Sequence, residues 1–451
     1  MTPTDDRDAP PGYRRVWALA WPIMLSNLSI PLVGAVDTAV MGRMPDPAYI
    51  GAVAVGASLF SLLFWTFGFL RMGTTGFVAQ GFGARDGTAI RIAVARALLL
   101  ALVLAVLMLL LQWPVAVIAF TVIEASATVE ALARTYFDIR IWSAPATFAN
   151  YALLGALIGL QRTRAVLLHQ LVLNGTNVGL DLLFVPGLGM GVDGVAWASV
   201  IAEFTAVGLG LWLIVRALRP LPGRNTRRAL LAPEGLRALL AVNGNILIRT
   251  LCLVGSFFWF TASGGRIGEI ELAANAVLLQ FFFFLAYGLD GFAHAAEGLA
   301  GAAWGRRSRR HFTAAVRTTT VSACAVALLF TATYAALGPL FITWLTDLET
   351  VRTTAADYLP WMIVAPLIAV WSFQLDGIFI GTTRTVEMRN AMLASTALFL
   401  AATALLIPAL SNHGLWLALM LFLAVRALSL LYYMPRLHRG IGDSTPAPDS
   451  R

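Results

Sequence analysis

The chain has 451 residues, of which 59% are hydrophobic and only 12% charged. That balance excludes an ordinary soluble enzyme and marks a polytopic membrane protein. The formal net charge of +8 rests on 32 arginines and no lysine. The arginines are scattered loop by loop, which argues against nucleic acid as a partner.

A transmembrane helix needs about 20 predominantly apolar residues. Runs of that kind predict twelve spans, at 16–41, 50–80, 91–113, 136–159, 165–187, 192–216, 237–262, 272–302, 313–337, 356–381, 389–410 and 414–434. The expected fold class is an all-α integral membrane protein with no room for a soluble catalytic domain. The organisation expected is an N-terminal tail (1–15), a first lobe (16–216), a linker (217–236), a second lobe (237–435) and a C-terminal tail (436–451). The tails are rich in Pro, Asp, Thr and Ser and are expected to be disordered. Asp5, Asp6 and Asp8 speak against a cleaved signal peptide, and Arg14-Arg15 reads as a topology anchor.

The first span carries Pro22 and, 15 residues further on, Asp37. A carboxylate within an apolar span is costly, so it faces the protein interior or a wet cavity. Pro22 either kinks the helix or, near its first turn, does little. The fifth span adds Asn174, Asn177 and Asp181. Asn177 and Asp181 are four residues apart and project from one helix face. Ser199 in the sixth span contributes a hydroxyl, and Glu203 lies one turn beyond it. Two carboxylates with an amide and a hydroxyl suit one small cation or one shared proton, and such a pair titrates as a unit. The alternative is a hydrogen-bonded cluster that only bridges helices.

Past the arginine-rich linker, the seventh span holds Arg249. The eighth presents Asp290, His294 and Glu297 on one stripe, the tenth Asp376 and the twelfth Arg426. Arg249 and Glu297 are expected to lock the second lobe, and Asp290 and Asp376 to line its cavity. Cys252 and Cys324 sit in apolar spans and read as small packing residues. With both tails inside, 24 arginines fall on inner tails and loops, while Arg43, Arg134, Arg266 and Arg352 fall outside. This positive-inside pattern places both termini in the cytoplasm.

A shift of 222 residues superposes the halves: Tyr136 on Tyr358, Gly155 on Gly377, Gly159 on Gly381, and Arg162-Thr163 on Arg384-Thr385. Six spans per copy is an even number, so the two repeats are parallel, with a cavity expected between lobes. Each Gly-x-x-x-Gly pair is expected at a close helix contact. Asp37 has no copy, since the shifted position is Trp259. No phosphate loop is present, so ATP is not expected to drive a cycle. Asn177-x-x-x-Asp181 partly matches an aspartate motif of intramembrane prenyl-transferring enzymes, but Val185 stands where the next carboxylate belongs.

Four stretches carry a family resemblance: Val36-Asp37-Thr38-Ala39-Val40-Met41-Gly42, the run from Phe67 to Gly76, the run from Leu289 to Glu297, and the run from Gln374 to Gly381. On these the chain resembles the multidrug and toxic compound extrusion (MATE) transporters, in their DNA-damage-inducible F branch. The resemblance implies the MATE fold and export driven by a cation gradient. It implies Asp37 as the main coupling residue, Asn177, Asp181 and Ser199 as its partners, and Pro22 as a bending point. Another branch places a sodium-binding glutamate in the seventh span. The matching region here reads Asn243-Gly244-Asn245, which favours protons, with sodium at Asp37, Asn177, Asp181 and Ser199 as the other choice. The expected function is antiport of amphipathic, often cationic compounds against protons, by a monomer of the bacterial inner membrane with no cofactor. The alternatives are a flippase for lipid-linked substrates and a major-facilitator transporter, which the four stretches do not fit.

Overall fold

A computed structural model describes residues 9–44, 46–122, 125–223 and 227–441. The first eight residues and the last ten lie outside it, and with them most of both predicted tails. The described residues are almost entirely helical and contain no strand.

The helices are α1 (Tyr13–Met41), α2 (Ala48–Trp65), α3 (Phe69–Gly83), α4 (Gly87–Leu110), α5 (Gln112–Val122), α6 (Ala127–Arg140), α7 (Ala144–Gly159), α8 (Thr163–Leu182) and α9 (Val192–Leu218). A four-residue α10 (Arg227–Leu230) precedes α11 (Pro233–Ile267), α12 (Glu269–Gly305), α13 (Arg309–Leu345), α14 (Glu349–Gly381) and α15 (Thr385–Gly440). Ten helical stretches are long and apolar enough to cross a membrane. Two of these are α2–α3 and α6–α7, each continuous through a 3-10 turn at Thr66–Gly68 or Ile141–Ser143. The 20-residue α8 is long enough to cross, but its polar face lowers its hydropathy. The 56-residue α15 is two helices joined at Ser411, whose backbone leaves the helical region at φ 51° and ψ −131°. Together these make the twelve transmembrane helices, in two six-helix repeats.

The sequence pattern missed α5. Pro114 has no amide hydrogen to continue the ladder of α4, and the 11 residues that follow the break are too few to cross the bilayer. The linker is less free than composition implies. Arg91 donates to the carbonyls of Leu218 and Leu221, and Arg96 to those of Ala229 and Leu230, which ties both ends of the linker to α4.

The chain divides into two compact units: residues 25–239, and residues up to Met24 together with those from Leu240 on. Residues 16–24, grouped with the first lobe by sequence, thus pack in the second unit. Val16, Leu19 and Ala20 belong to its buried core, and Trp17 meets Phe292 edge-on at 5.0 Å. Gly291 leaves room there for the Ala20 carbonyl and Met24. The change of unit falls two residues after Pro22, through which α1 remains one helix.

The duplication is visible in the backbone. Left-handed residues occur in pairs 222 positions apart: Arg85 and Arg307, Gln161 and Thr383, Gly189 and Ser411. The glycine contacts repeat in the same way. A Cβ on Gly155 would strike the Arg71 carbonyl, and one on Gly377 the Ala293 carbonyl. A Cβ on Gly159 would meet the Thr75 carbonyl and Ala79 nitrogen, and one on Gly381 the Glu297 carbonyl and Gly301 nitrogen. Each glycine pair therefore seats one helix directly on the backbone of another, α7 on α3 and α14 on α12.

Candidate functional site: an acidic pair in the 25–239 unit

Helices α1 and α8 are joined by polar contacts at two levels. At the first, Asn174 donates to the Ser29 hydroxyl at 2.7 Å, while its own carbonyl oxygen accepts from Gln170 at 3.0 Å. At the second, the Asp37 and Asp181 carboxyl groups lie within electrostatic reach of each other. The levels are eight residues apart on α1 and seven on α8, as expected of two parallel helices in register over two turns.

Asp181 is 0% exposed and Asn177 5%, and Asp37 is half-buried. The Asn177 amide donates to Ser199 Oγ on α9 at 3.2 Å, which leaves its Oδ1 as an acceptor. Asn177 Oδ1, Asp37 Oδ1 and both Asp181 oxygens are buried without a hydrogen-bond donor. Neighbouring carboxyl groups repel when both are ionised, and a proton on one relieves that repulsion. The four predicted residues, Asp37, Asn177, Asp181 and Ser199, thus converge on one cluster of acceptor oxygens. No group of three or more His, Cys, Asp or Glu side chains suited to a metal ion occurs among the described residues.

A cation that sequence reasoning passed over stands beside the pair. Arg140, at the end of α6, lies within electrostatic reach of Asp37. It also forms an ion pair at 3.5 Å with Glu203 on α9 and donates to the Ser143 hydroxyl. Its guanidinium lies over the rings of Phe60 and Phe64, 5.8 Å and 5.5 Å from their centroids. Behind Glu203, Asn150 donates to Glu203 Oε2 at 2.7 Å and to the Glu203 carbonyl at 3.0 Å, and His169 Nε2 meets Asn150 Oδ1 at 3.1 Å. The available signal was Arg140 itself: an arginine this close to an apolar span needs a counter-ion.

The other unit holds a different centre. The sequence pattern set Asp376 toward a cavity. Instead it is buried, 6% exposed, and bonded to both Arg249 and Arg426. A carboxylate between two guanidiniums is held in place rather than offered to a ligand. Asp290 lies within electrostatic reach of Arg426. His294 is half-buried, and Glu297 is buried where α12 passes under Gly381. The predicted stripe on α12 therefore borders the Asp376 cluster at Asp290 and the interhelix contact at Glu297. Cys252 and Cys324 are both free thiols.

Comparison with known proteins agrees with this architecture. The MatE family profile matches twice, over residues 22–183 and 246–406. The chain is 43% identical over 418 residues to DNA damage-inducible protein F of Escherichia coli, covering 92% of this chain and 91% of that one. It is 29% identical over 275 residues to a probable multidrug resistance protein NorM of Synechococcus, covering 58% and 57%. It superposes, with a TM-score of 0.86 and 19% identity over 97% of this chain and 98% of the other, on the outward-facing conformation of a multidrug resistance MATE family transporter of the MOP superfamily. With the family profile matching both repeats and one relative this similar along nearly the whole chain, the protein belongs to the MatE family and is a MATE transporter.

Proposed function

We propose that this transporter exports amphipathic, often cationic organic compounds in exchange for protons, with Asp37 and Asp181 as the coupling pair. The observation that carries the proposal is the set of buried Asp37, Asp181 and Asn177 oxygens without hydrogen-bond donors, with Asp181 0% exposed. One proton held by the pair leaves a single negative charge there, and its loss leaves two. The protonated pair has less hold on a cationic compound than the ionised pair. Proton and substrate therefore compete, and each shifts the conformational equilibrium only through its differential affinity for the two states. Asn177 and Ser199 orient the site, and Pro22 is the bending point of α1. The transporter acts as a monomer in a bacterial inner membrane, with both termini in the cytoplasm, as the arginine distribution supports.

Sodium is the second reading. It is favoured by the oxygen-only donor set of Asp37, Asn177 and Asp181, whose buried acceptors lack donors. Reconstituted protein given a pH gradient alone and a sodium gradient alone separates the two. Efflux of a fluorescent organic cation under the pH gradient, with none under sodium, supports proton coupling. Efflux under sodium alone overturns it.

A further inference from the structure

In the first repeat, the start of α4 is covered by the linker. Arg91 donates to the carbonyls of Leu218 and Leu221, and Arg96 to those of Ala229 and Leu230. The backbones also come close: a Cβ on Gly87 would strike the Pro222 carbonyl, and one on Gly223 the Thr88 nitrogen. The linker therefore runs along α4 in the direction of that helix. Gly87, Thr88, Arg91 and Ala95 are buried or half-buried there.

The matching surface of the second repeat is the start of α13, 222 positions on. Arg309, Arg310, Thr313 and Arg317 stand where Gly87, Thr88, Arg91 and Ala95 stand on α4, and all four are exposed. With Thr318 and Tyr13 they line a groove of 750 Å³. Arg310 and Arg317 are seven residues apart, on one face of the helix and about 10 Å from each other along it. Neither has a hydrogen-bond or ion-pair partner among the described residues.

The end of α15 meets α13 much as the end of α9 meets α4. Arg309 donates to the His438 carbonyl at 3.0 Å, two residues before Gly440, the counterpart of Leu218. Ile441 is 3% exposed. Residues 442–451, which lie outside the described ones, are the counterparts of 220–229, the stretch held on α4. They read Gly442-Asp443-Ser444-Thr445-Pro446-Ala447-Pro448-Asp449-Ser450-Arg451. The chemistry of the two surfaces is exchanged between repeats. On α4 the anchors are Arg91 and Arg96, which grip linker carbonyls. Helix α13 has Thr313 and Thr318 at those places and carries its arginines at 310 and 317 instead. The segment facing them changes to match: Asp443 stands in place of Leu221, and Asp449 in place of Arg227. Six residues of extended chain reach about 19 Å, enough to carry the two acids from one arginine to the other.

We infer that residues 442–451 lie in the α13 groove as the linker lies on α4, with Asp443 paired to Arg310 and Asp449 to Arg317. Each repeat then has a strap of its own, and this one ties the end of α15 to α13. Two arginines at a membrane boundary also suit the phosphate of an anionic phospholipid. The duplication favours the segment, because the first repeat fills the same surface with chain.

The test is disulfide cross-linking of the full chain in phosphatidylcholine nanodiscs. Cys252→Ala and Cys324→Ala remove the native thiols. Thr313→Cys with Ser444→Cys then places one thiol on each side at uncharged positions. Under a mild oxidant this pair should form a disulfide within the chain. Asp443→Asn with Asp449→Asn should slow its formation about fivefold, the worth of two exposed ion pairs. Arg310→Gln with Arg317→Gln should slow it as much. Charge exchange is the specific check: Arg310→Glu with Arg317→Glu should slow it further, and adding Asp443→Arg with Asp449→Arg should restore it. No disulfide, or one whose rate ignores both neutralised pairs, overturns the inference. Native mass spectrometry examines the lipid. Phosphatidylglycerol held equally with and without residues 442–451, and lost in Arg310→Gln with Arg317→Gln, makes the groove a lipid site and overturns the inference as well.

Discussion

Trp259 donates its indole N–H to the Thr403 hydroxyl at 3.1 Å. These residues lie 222 positions beyond Asp37 and Asp181. The contact between α1 and α8 is therefore repeated between α11 and α15, with a neutral hydrogen bond in place of two acids. The duplicated scaffold brings the same two positions together in each unit. Only one of the two contacts can exchange a proton at ordinary pH.

This pairing predicts a contrast. Asp37→Asn and Asp181→Asn each keep side-chain size but remove a titrating group. Each should abolish efflux driven by a pH gradient while leaving membrane insertion and folding intact. Thr403→Val removes the counterpart contact and should lower stability by about 0.5–1.5 kcal/mol, the net worth of a hydrogen bond, without changing the pH profile of efflux. Proteoliposome efflux with size-exclusion profiles as the folding control would measure both. Normal pH-driven efflux by Asp37→Asn would sink the coupling assignment.

The spans, the repeat and the polar residues that converge on Asp37 were legible in the sequence because each leaves a local mark. Apolar length marks a span, and a constant offset marks duplication. Asn177 and Asp181 share a helix face by spacing alone. Other features depend on partners distant in sequence. Asp376 could be seen as buried, but not as clamped between Arg249 and Arg426, because those residues lie 127 and 50 positions away. Arg140 is one arginine among 32, and its link to Glu203, 63 residues on, has no sequence signature. Asn150 and His169 each look like an isolated polar residue until the packing of α7, α8 and α9 joins them.

The glycine contacts predict equal sensitivity in both repeats. Gly159→Ala and Gly381→Ala each drive a methyl group into facing backbone, which cannot rotate away as a side chain could. Overpacking of this kind costs about 1–3 kcal/mol. Gly208 on α9 has open space around its Cβ position, and Gly208→Ala should be neutral or slightly stabilising. Thermal unfolding of the detergent-solubilised protein checks all three. Losses at one glycine and not at its partner would show that the two contacts are not equivalent.

Ser411 and Gly189 occupy the same place in the two repeats, and both have positive φ, 51° and 70°. Glycine takes this conformation without strain, whereas a residue with a Cβ is held in it at a cost of about 1–2 kcal/mol. Ser411→Gly should raise the thermal midpoint, and Gly189→Ser should lower it by a similar amount. A lower midpoint for Ser411→Gly would mean that the serine side chain contributes more at the α15 break than the backbone strain costs.

The Asp376 cluster predicts an order of damage set by charge balance. Asp376→Asn leaves Arg249 and Arg426 facing each other in a buried site with no anion between them. Removing one partner of a buried pair costs about 3–5 kcal/mol, and the repulsion between the two guanidiniums adds to that. Arg249→Met instead leaves Asp376 paired with Arg426, which is 4% exposed, and should be tolerated far better. Adding Arg249→Met to Asp376→Asn removes one of the two facing cations and should recover part of the lost stability. Yield and thermal midpoint of the purified variants give the ranking. If Asp376→Asn proves milder than Arg249→Met, the cluster does not depend on its carboxylate, and Asp376 has a role other than holding two cations together.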